Sequence, residues 1–184
     1  MIQPIYLYGS EVLRREAEEM PLDDKAAVAS LIADLKDTLK ASEGCGLAAP
    51  QIGVSRRVLI VDGGEVAEQY PYLKDFRRTL INPKVLWESD NRIEFSEGCL
   101  SIPGVYCDIR RPAAIRVAYY NEDLEKVEEA FDGFACRMVQ HELSHLDGGL
   151  FTDLAAPIRR KMISGKLKSI SRGSVSTRYN SKIK

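Results

Sequence analysis

The sequence predicts an α+β fold: mixed, mostly antiparallel β-strands packed around one central helix, with an N-terminal helix and a C-terminal helix flanking it. Three observations carry this reading. An apolar stripe at helical spacing occupies residues 24–42, strand-like pieces punctuated by turns run from Thr79 to Phe131, and a helical pattern resumes at Gly133. At 184 residues the chain is long enough for a sizeable core, and it is read as a single domain, residues 1–184.

Each element has a local cause. Asp23-Asp24 supplies an N-cap, and Val28, Leu31, Ile32, Leu35 and Leu39 form a stripe spaced by three and four, predicting a helix through about Ser42. Gly44-Cys45-Gly46 ends it, and Val58–Val61 is an apolar run fit for a buried strand. Further strands are predicted at Leu80–Leu86, Arg92–Phe95, Ile115–Tyr120 and Val127–Phe131, with Asn121-Glu122-Asp123 turning the last hairpin. A central helix runs from Gly133 to Asp147 and stops at Gly148-Gly149. The last helix starts after Pro157 and ends near Arg172-Gly173. Weak alternation over Val175–Lys184 suggests an edge strand.

Composition excludes several classes. With 45% apolar residues, 29% charged residues and a formal net charge of −1, the chain is not disordered, collagen-like or supercharged, and bulk charge favours neither nucleic acid nor membrane. No apolar run approaches a membrane span, and Met1–Tyr8 is too short for a secretory apolar region. The cysteines Cys45, Cys99, Cys107 and Cys136 are therefore read in a reduced, cytoplasmic setting, as ligand, nucleophile or core filler. Charge is uneven, however. No acidic residue follows Asp153, so the segment 157–184 is basic, which fits either a solvated face or docking on an anionic partner such as RNA.

The chain's two histidines stand four apart in His141-Glu142-Leu143-Ser144-His145. On a helix that spacing puts both imidazoles on one face, one turn apart, where they can hold one metal ion. Glu142 lies about 100° round the helix from His141 and flanks the ion without ligating it. That is the place of a general base taking a proton from the ion's water. A hydrogen-bonded buried pair, or a purely structural metal site, is the plainer alternative.

A catalytic site of this type usually takes three protein ligands. With no later histidine and no acidic residue after Asp153, the third must come from upstream. Glu97-Gly98-Cys99-Leu100-Ser101 offers a cysteine beside a glycine, although a lone cysteine also suits a core. The stretch Gly44-Cys45-Gly46-Leu47-Ala48-Ala49-Pro50-Gln51-Ile52-Gly53 formally contains a dinucleotide fingerprint, but it follows a helix and Pro50 obstructs the helix such a motif should open. It reads as a turn, or as a loop offering backbone groups and the Gln51 amide to a substrate carbonyl.

Together, GCGLAAPQIG, EGCLS and QHELSHLDG closely resemble the motifs of the peptide deformylase family in content, order and separation. Ile5–Arg15 and Leu80-Ile81-Asn82-Pro83 extend the likeness, which spans residues 1 to about 172. The resemblance implies that Cys99, His141 and His145 bind a divalent metal, with a water completing its shell. It implies Glu142 as general base and then acid, Gln51 and the Leu100 N–H as oxyanion hole, and Gly46 as a backbone partner for an extended peptide. The reaction implied is release of formate from the N-formylmethionine of nascent bacterial or organellar polypeptides. The family's metal is commonly iron(II), and donor softness also permits zinc, nickel or cobalt.

For the methionine pocket, Phe134, Arg137 and Met138 precede His141 on nearly the same helical face, and Cys45 and Phe95 join them by family position. Arg137 is polar for such a wall, so its stem is expected to cover apolar surface while its charge reaches water. Glu97 is placed both at the pocket and in an ion pair with Arg111 that braces the cysteine loop. Ser144 stands where the family usually carries aspartate, which implies altered hydrogen bonding behind the ligands. Some members use a basic C-terminal helix at the ribosome, and residues 157–172 are suitably basic. Two other readings stand beside this one. A zincin-like peptidase is weakened by the absent downstream ligand. A noncatalytic, metal-stabilised ribosome-binding module would need neither Glu142 nor Gln51.

Overall fold

The computed structural model describes residues 1–184 as an α+β protein. Strand β1 (Ile5–Tyr6) precedes helix α1 (Lys25–Ser42), whose N-cap Asp24 accepts from the Ala27 N–H at 2.9 Å. Glu43, in the left-handed region at φ 54°, ends the helix. Strands β2 (Gly46–Ala48), β3 (Val58–Asp62) and β4 (Arg77–Glu88) follow, then the hairpin β5 (Arg92–Cys99) and β6 (Ile102–Pro112). Strands β7 (Ala114–Tyr120) and β8 (Lys126–Asp132) lead into α2 (Gly133–Leu146), α3 (Pro157–Ser171) and β9 (Ser181–Lys182).

The main sheet has the order β2-β3-β4-β7-β8 and is antiparallel throughout; β5–β6 forms a separate antiparallel ribbon. The predicted helices and the four predicted late strands are all present, several of them longer than their periodicity suggested. Strands β1, β2 and β6 lie outside the predicted set; β2 occupies the stretch read as a turn or loop after α1. The tail differs from its expectation: only Ser181–Lys182 forms strand, pairing in parallel with β1 rather than extending a sheet from Val175. Thr177 is the local cause, since its Oγ1 bonds the Tyr179 carbonyl and Ser181 Oγ and folds the tail back on itself.

Two features position the site. Helix α2 packs against β2, β3, β7 and β8 and is buried on nearly every side, with Val139, Leu143 and Leu146 in the same apolar cluster as Leu59, Leu80 and Phe131. Helices apolar on one face alone lie at surfaces; this one is central. The β5–β6 ribbon carries a register shift between Glu97 and Cys99, where Gly98 sits. Such an irregularity re-aims the next side chain, here Cys99. A Cβ at Gly98 would stand 2.6 Å from the exposed Tyr106 ring, which would have to shift to admit it.

Candidate metal centre and substrate cleft

The buried surroundings of α2 force its polar residues to find partners inside the protein. His141 and His145 lie one turn apart, with ring centroids separated by 5.2 Å. The β5–β6 turn brings Cys99 to them, its Sγ 3.3 Å from His145 Nε2. One ligand atom from each of Cys99, His141 and His145 lies within 4.8 Å of the others.

Glu97 organises the layer behind. Its Oε1 takes His141 Nδ1 at 2.8 Å and Arg111 at 3.0 Å; its Oε2 takes Arg111 Nε at 2.9 Å and Arg137 at 2.7 Å. Both oxygens are thus occupied by protein donors, so Glu97, which also lies at the cleft wall as expected, acts there as a brace behind the ligands. The bond to Nδ1 also leaves Nε2 as the His141 nitrogen free for a ligand. Arg111 reaches Ser144 Oγ at 2.8 Å, and that hydroxyl donates to the Gln140 carbonyl at 3.1 Å.

Arg137 departs from its expectation too. Its guanidinium does not reach water; it is buried on Glu97, on the carbonyls of Ile109 (2.6 Å) and Ile93 (2.7 Å), and over the Phe95 ring. Those acceptors displace solvent because the β5 and β6 backbones lie within its reach. Phe95 does not line the cleft. It backs Phe134 edge-on at 5.4 Å, one layer behind the wall.

A soft sulfur and two imidazoles converging in this way suit a divalent late first-row metal. Glu142 Oε2 and His145 Nδ1 are buried without any protein partner. An unpartnered buried carboxyl beside the three donors is the group an adjacent cation would stabilise as its anion, so the residues fit such an ion.

The electrostatics follow from burial and partners. Burial pushes the Glu142 carboxyl up to about 7. Burial also pulls His141 down, but its bonds to Cys99 and Glu97 outweigh this and raise it to about 10. His145, buried and facing His141, is held well below its ordinary value. Burial opposes ionisation of Glu97, yet His141 and Arg111 hold that carboxyl well below the usual carboxylate range.

The donors open on a cleft of about 700 Å³. Phe134, Arg137, Met138 and Cys45 line it, as do Gly46, Gln51 and Leu100. Phe134 stacks on Tyr70 with centroids 4.3 Å apart, and burial pushes the Cys45 thiol up to about 12. The Gln51 Oε1 accepts from the Ala48 N–H at 2.9 Å, which aims its Nε2 at Ser101 Oγ (3.1 Å) and Cys99 Sγ (3.6 Å). Gly46 lies on β2, an edge of the main sheet, with Glu142 packed against its α-carbon. Ser101, Tyr70 and Tyr179 belong to this region but were not singled out from the sequence. Ser101 stood inside EGCLS as a hydroxyl amid apolar residues; Tyr179 reaches the cleft and Tyr70 stacks on Phe134 behind its wall, both through tertiary packing that leaves no local signal. All four cysteines are free, and no helix is long and apolar enough to cross a membrane.

Comparison with known proteins places this geometry in context. The sequence profile of the family described as polypeptide deformylase matches residues 2–161. A peptide deformylase of Chlorobium phaeobacteroides is 42% identical, aligned over 97% of this chain and 94% of the relative. One of Pseudothermotoga lettingae is 41% identical over 97% of this chain and 98% of the relative. Among solved structures, a peptide deformylase from Thermus thermophilus superposes with a TM-score of 0.82 at 31% identity, covering 94% of this chain and 99% of the other. One from Plasmodium falciparum gives 0.83 at 30% identity, with 92% and 95% covered.

Proposed function

This chain belongs to the polypeptide deformylase family, and from that premise we propose how its residues carry out the family's reaction. The enzyme is a metallohydrolase that removes the formyl group from N-formylmethionyl peptides: water and the formamide give formate and a free amine. Nascent polypeptides are its substrates.

Cys99, His141 and His145 would hold the ion, a reading supported by the convergence of their ligand atoms. When bound, the ion supplies Lewis acidity toward the formyl oxygen and makes water acidic enough to attack near neutral pH. Glu142 takes the proton that water releases and returns it to the departing amine nitrogen. Its burial and its unpartnered oxygen support that role, because such a carboxyl exchanges protons near neutral pH. Gln51 Nε2 and the Leu100 N–H donate to the developing oxyanion; losing one such donor typically costs about 10²–10³ in turnover. The open edge of β2 at Gly46 pairs with the extended peptide backbone. Phe134, Met138, Cys45 and the buried stem of Arg137 receive the methionine side chain, with Phe95 supporting Phe134 from behind.

The thiolate and imidazole donors suit iron(II), zinc, nickel or cobalt, and the family resemblance favours iron(II) as the native ion. We further read the chain as one catalytic domain in a bacterial cytoplasm. Its basic segment 157–184 is proposed to dock at the ribosome, with no membrane partner and no sequence-specific nucleic acid.

The observation that carries the reading is the meeting of the Cys99 sulfur with both imidazoles beside the unpartnered Glu142 carboxyl. Its test is formate release from formyl-Met-Ala-Ser by the metal-replete protein, run beside an internally blocked peptide. Formate without peptide-bond cleavage is expected; cleavage without formate would make the protein a peptidase, and metal binding without turnover would make it a binding module.

A further inference from the structure

The C-terminal tail lies beyond residues 2–161, the span matched by the family profile, yet it reaches the cleft: Ser176, Thr177, Arg178 and Tyr179 line the same cavity as Cys99 and Glu142. It is braced within itself at Thr177 and anchored to the body on the C-terminal side of Tyr179. Thr177 Oγ1 bonds the Tyr179 carbonyl at 2.7 Å, and beyond it β9 pairs with β1, with the Ile5 N–H bonding the Asn180 carbonyl at 2.9 Å and Leu7 that of Lys182 at 2.9 Å. Lys182 caps the Tyr6 ring, its Nζ 4.4 Å from the centroid. A side chain held in this way has a fixed aim. The Tyr179 hydroxyl donates to the Leu100 carbonyl at 2.5 Å.

That acceptor sits in the tight turn that closes β5 on β6, where Cys99 pairs with Ile102. The turn is pinned at adjacent points: Gln51 reaches the Ser101 hydroxyl, the Tyr8 N–H bonds the Ser101 carbonyl at 2.7 Å, and Tyr179 holds the Leu100 carbonyl. Orienting one peptide plane of so tight a turn restricts its neighbour, because only two soft dihedrals lie between them. The neighbouring plane carries the Leu100 N–H. We propose that Tyr179 is a positioning residue for the oxyanion-binding turn, and that the tail 174–184 is thereby a working part of the active site. The inference rests on the assignment of the Leu100 N–H as an oxyanion donor.

Tyr179→Phe removes the hydroxyl and keeps the packed ring, so it isolates the bond. In the full-length metal-loaded enzyme, kcat for formyl-Met-Ala-Ser is expected to fall about three- to tenfold, with KM within about twofold and metal content unchanged. In the metal-free protein, amide hydrogen exchange across residues 99–102 is expected to quicken by a similar factor, a change that a remote packing role would not produce. Thr177→Val, which loosens the tyrosine without touching the turn, is expected to shift exchange in the same direction by less. Wild-type kcat in Tyr179→Phe, a loss carried by KM, or unchanged exchange would each overturn the proposal. Failure of the wild-type protein to release formate would instead strike the function proposed above, while quickened exchange in the variant would still support the brace.

Discussion

Gly46→Ala is the sharpest test of the Glu142 assignment. A Cβ built on Gly46 stands 2.5 Å from Glu142 Oε1 and 3.0 Å from its Cδ and Cγ, against an ordinary contact of 3.4 Å or more. The carboxylate must therefore retreat by about 0.9 Å, and a displacement near 1 Å from a productive geometry can cost about 10²-fold. Nothing holds it in place, since Oε2 has no protein partner, so the side chain yields before the β2 backbone does. Gly46 is not in the left-handed region, so alanine is conformationally tolerated there. The variant should fold, keep its metal and lose about 10²-fold in kcat. Combined with Glu142→Ala it should cost little more, because both substitutions remove the same function. Steady-state formate release on the wild type, two single variants and the double variant reads this directly. A wild-type kcat in Gly46→Ala, or additive losses in the pair, would refute the placement of Glu142 as the base.

The state of Glu142 also sets a pH dependence. Its carboxyl is pushed up to about 7 by burial, and a divalent cation beside it favours the anion, so the acid limb of kcat/KM in the loaded enzyme should lie below pH 7. A limb above 7 would contradict this. Arg137→Met should destabilise the fold by about 3–5 kcal/mol in urea titrations, since it strips a buried charge partner from Glu97; a change under about 1 kcal/mol would show that the cluster repacks without it. Glu97 is held below its unfolded value, so the stability it contributes is fully present above about pH 4.5 and is lost as pH falls through the folded value. Acid unfolding of Glu97→Gln should therefore show a flatter approach below pH 4.5 than the wild type, read by circular dichroism.

The sequence carried the helices and most strands because their causes are local: the Asp24 cap and the leucine stripe of α1, Pro157 at the start of α3, and the alternation of β7. Strand β6 was missed although Val105, Cys107, Ile109 and Arg111 alternate inward, because Pro103, Gly104 and Pro112 read as loop and an inward arginine breaks the apolar pattern. The histidine pair was legible as a unit, since one helix fixes both rings. Cys99 was ambiguous from its own surroundings; motif order, and then the bulge at Gly98, brought it to the histidines. Arg137 was misjudged because its acceptors, Glu97 and the carbonyls of Ile93 and Ile109, come from strands distant in sequence. Tyr179 was invisible for the same reason: its partner Leu100 lies 79 positions away.

X-ray absorption at the metal edge of the loaded enzyme tests the central claim most directly. One sulfur at about 2.3 Å and two imidazole nitrogens near 2.1 Å are expected, with the sulfur lost in Cys99→Ala and retained in Cys45→Ala. A sphere without sulfur, or one whose sulfur disappears with Cys45 instead, would contradict the account.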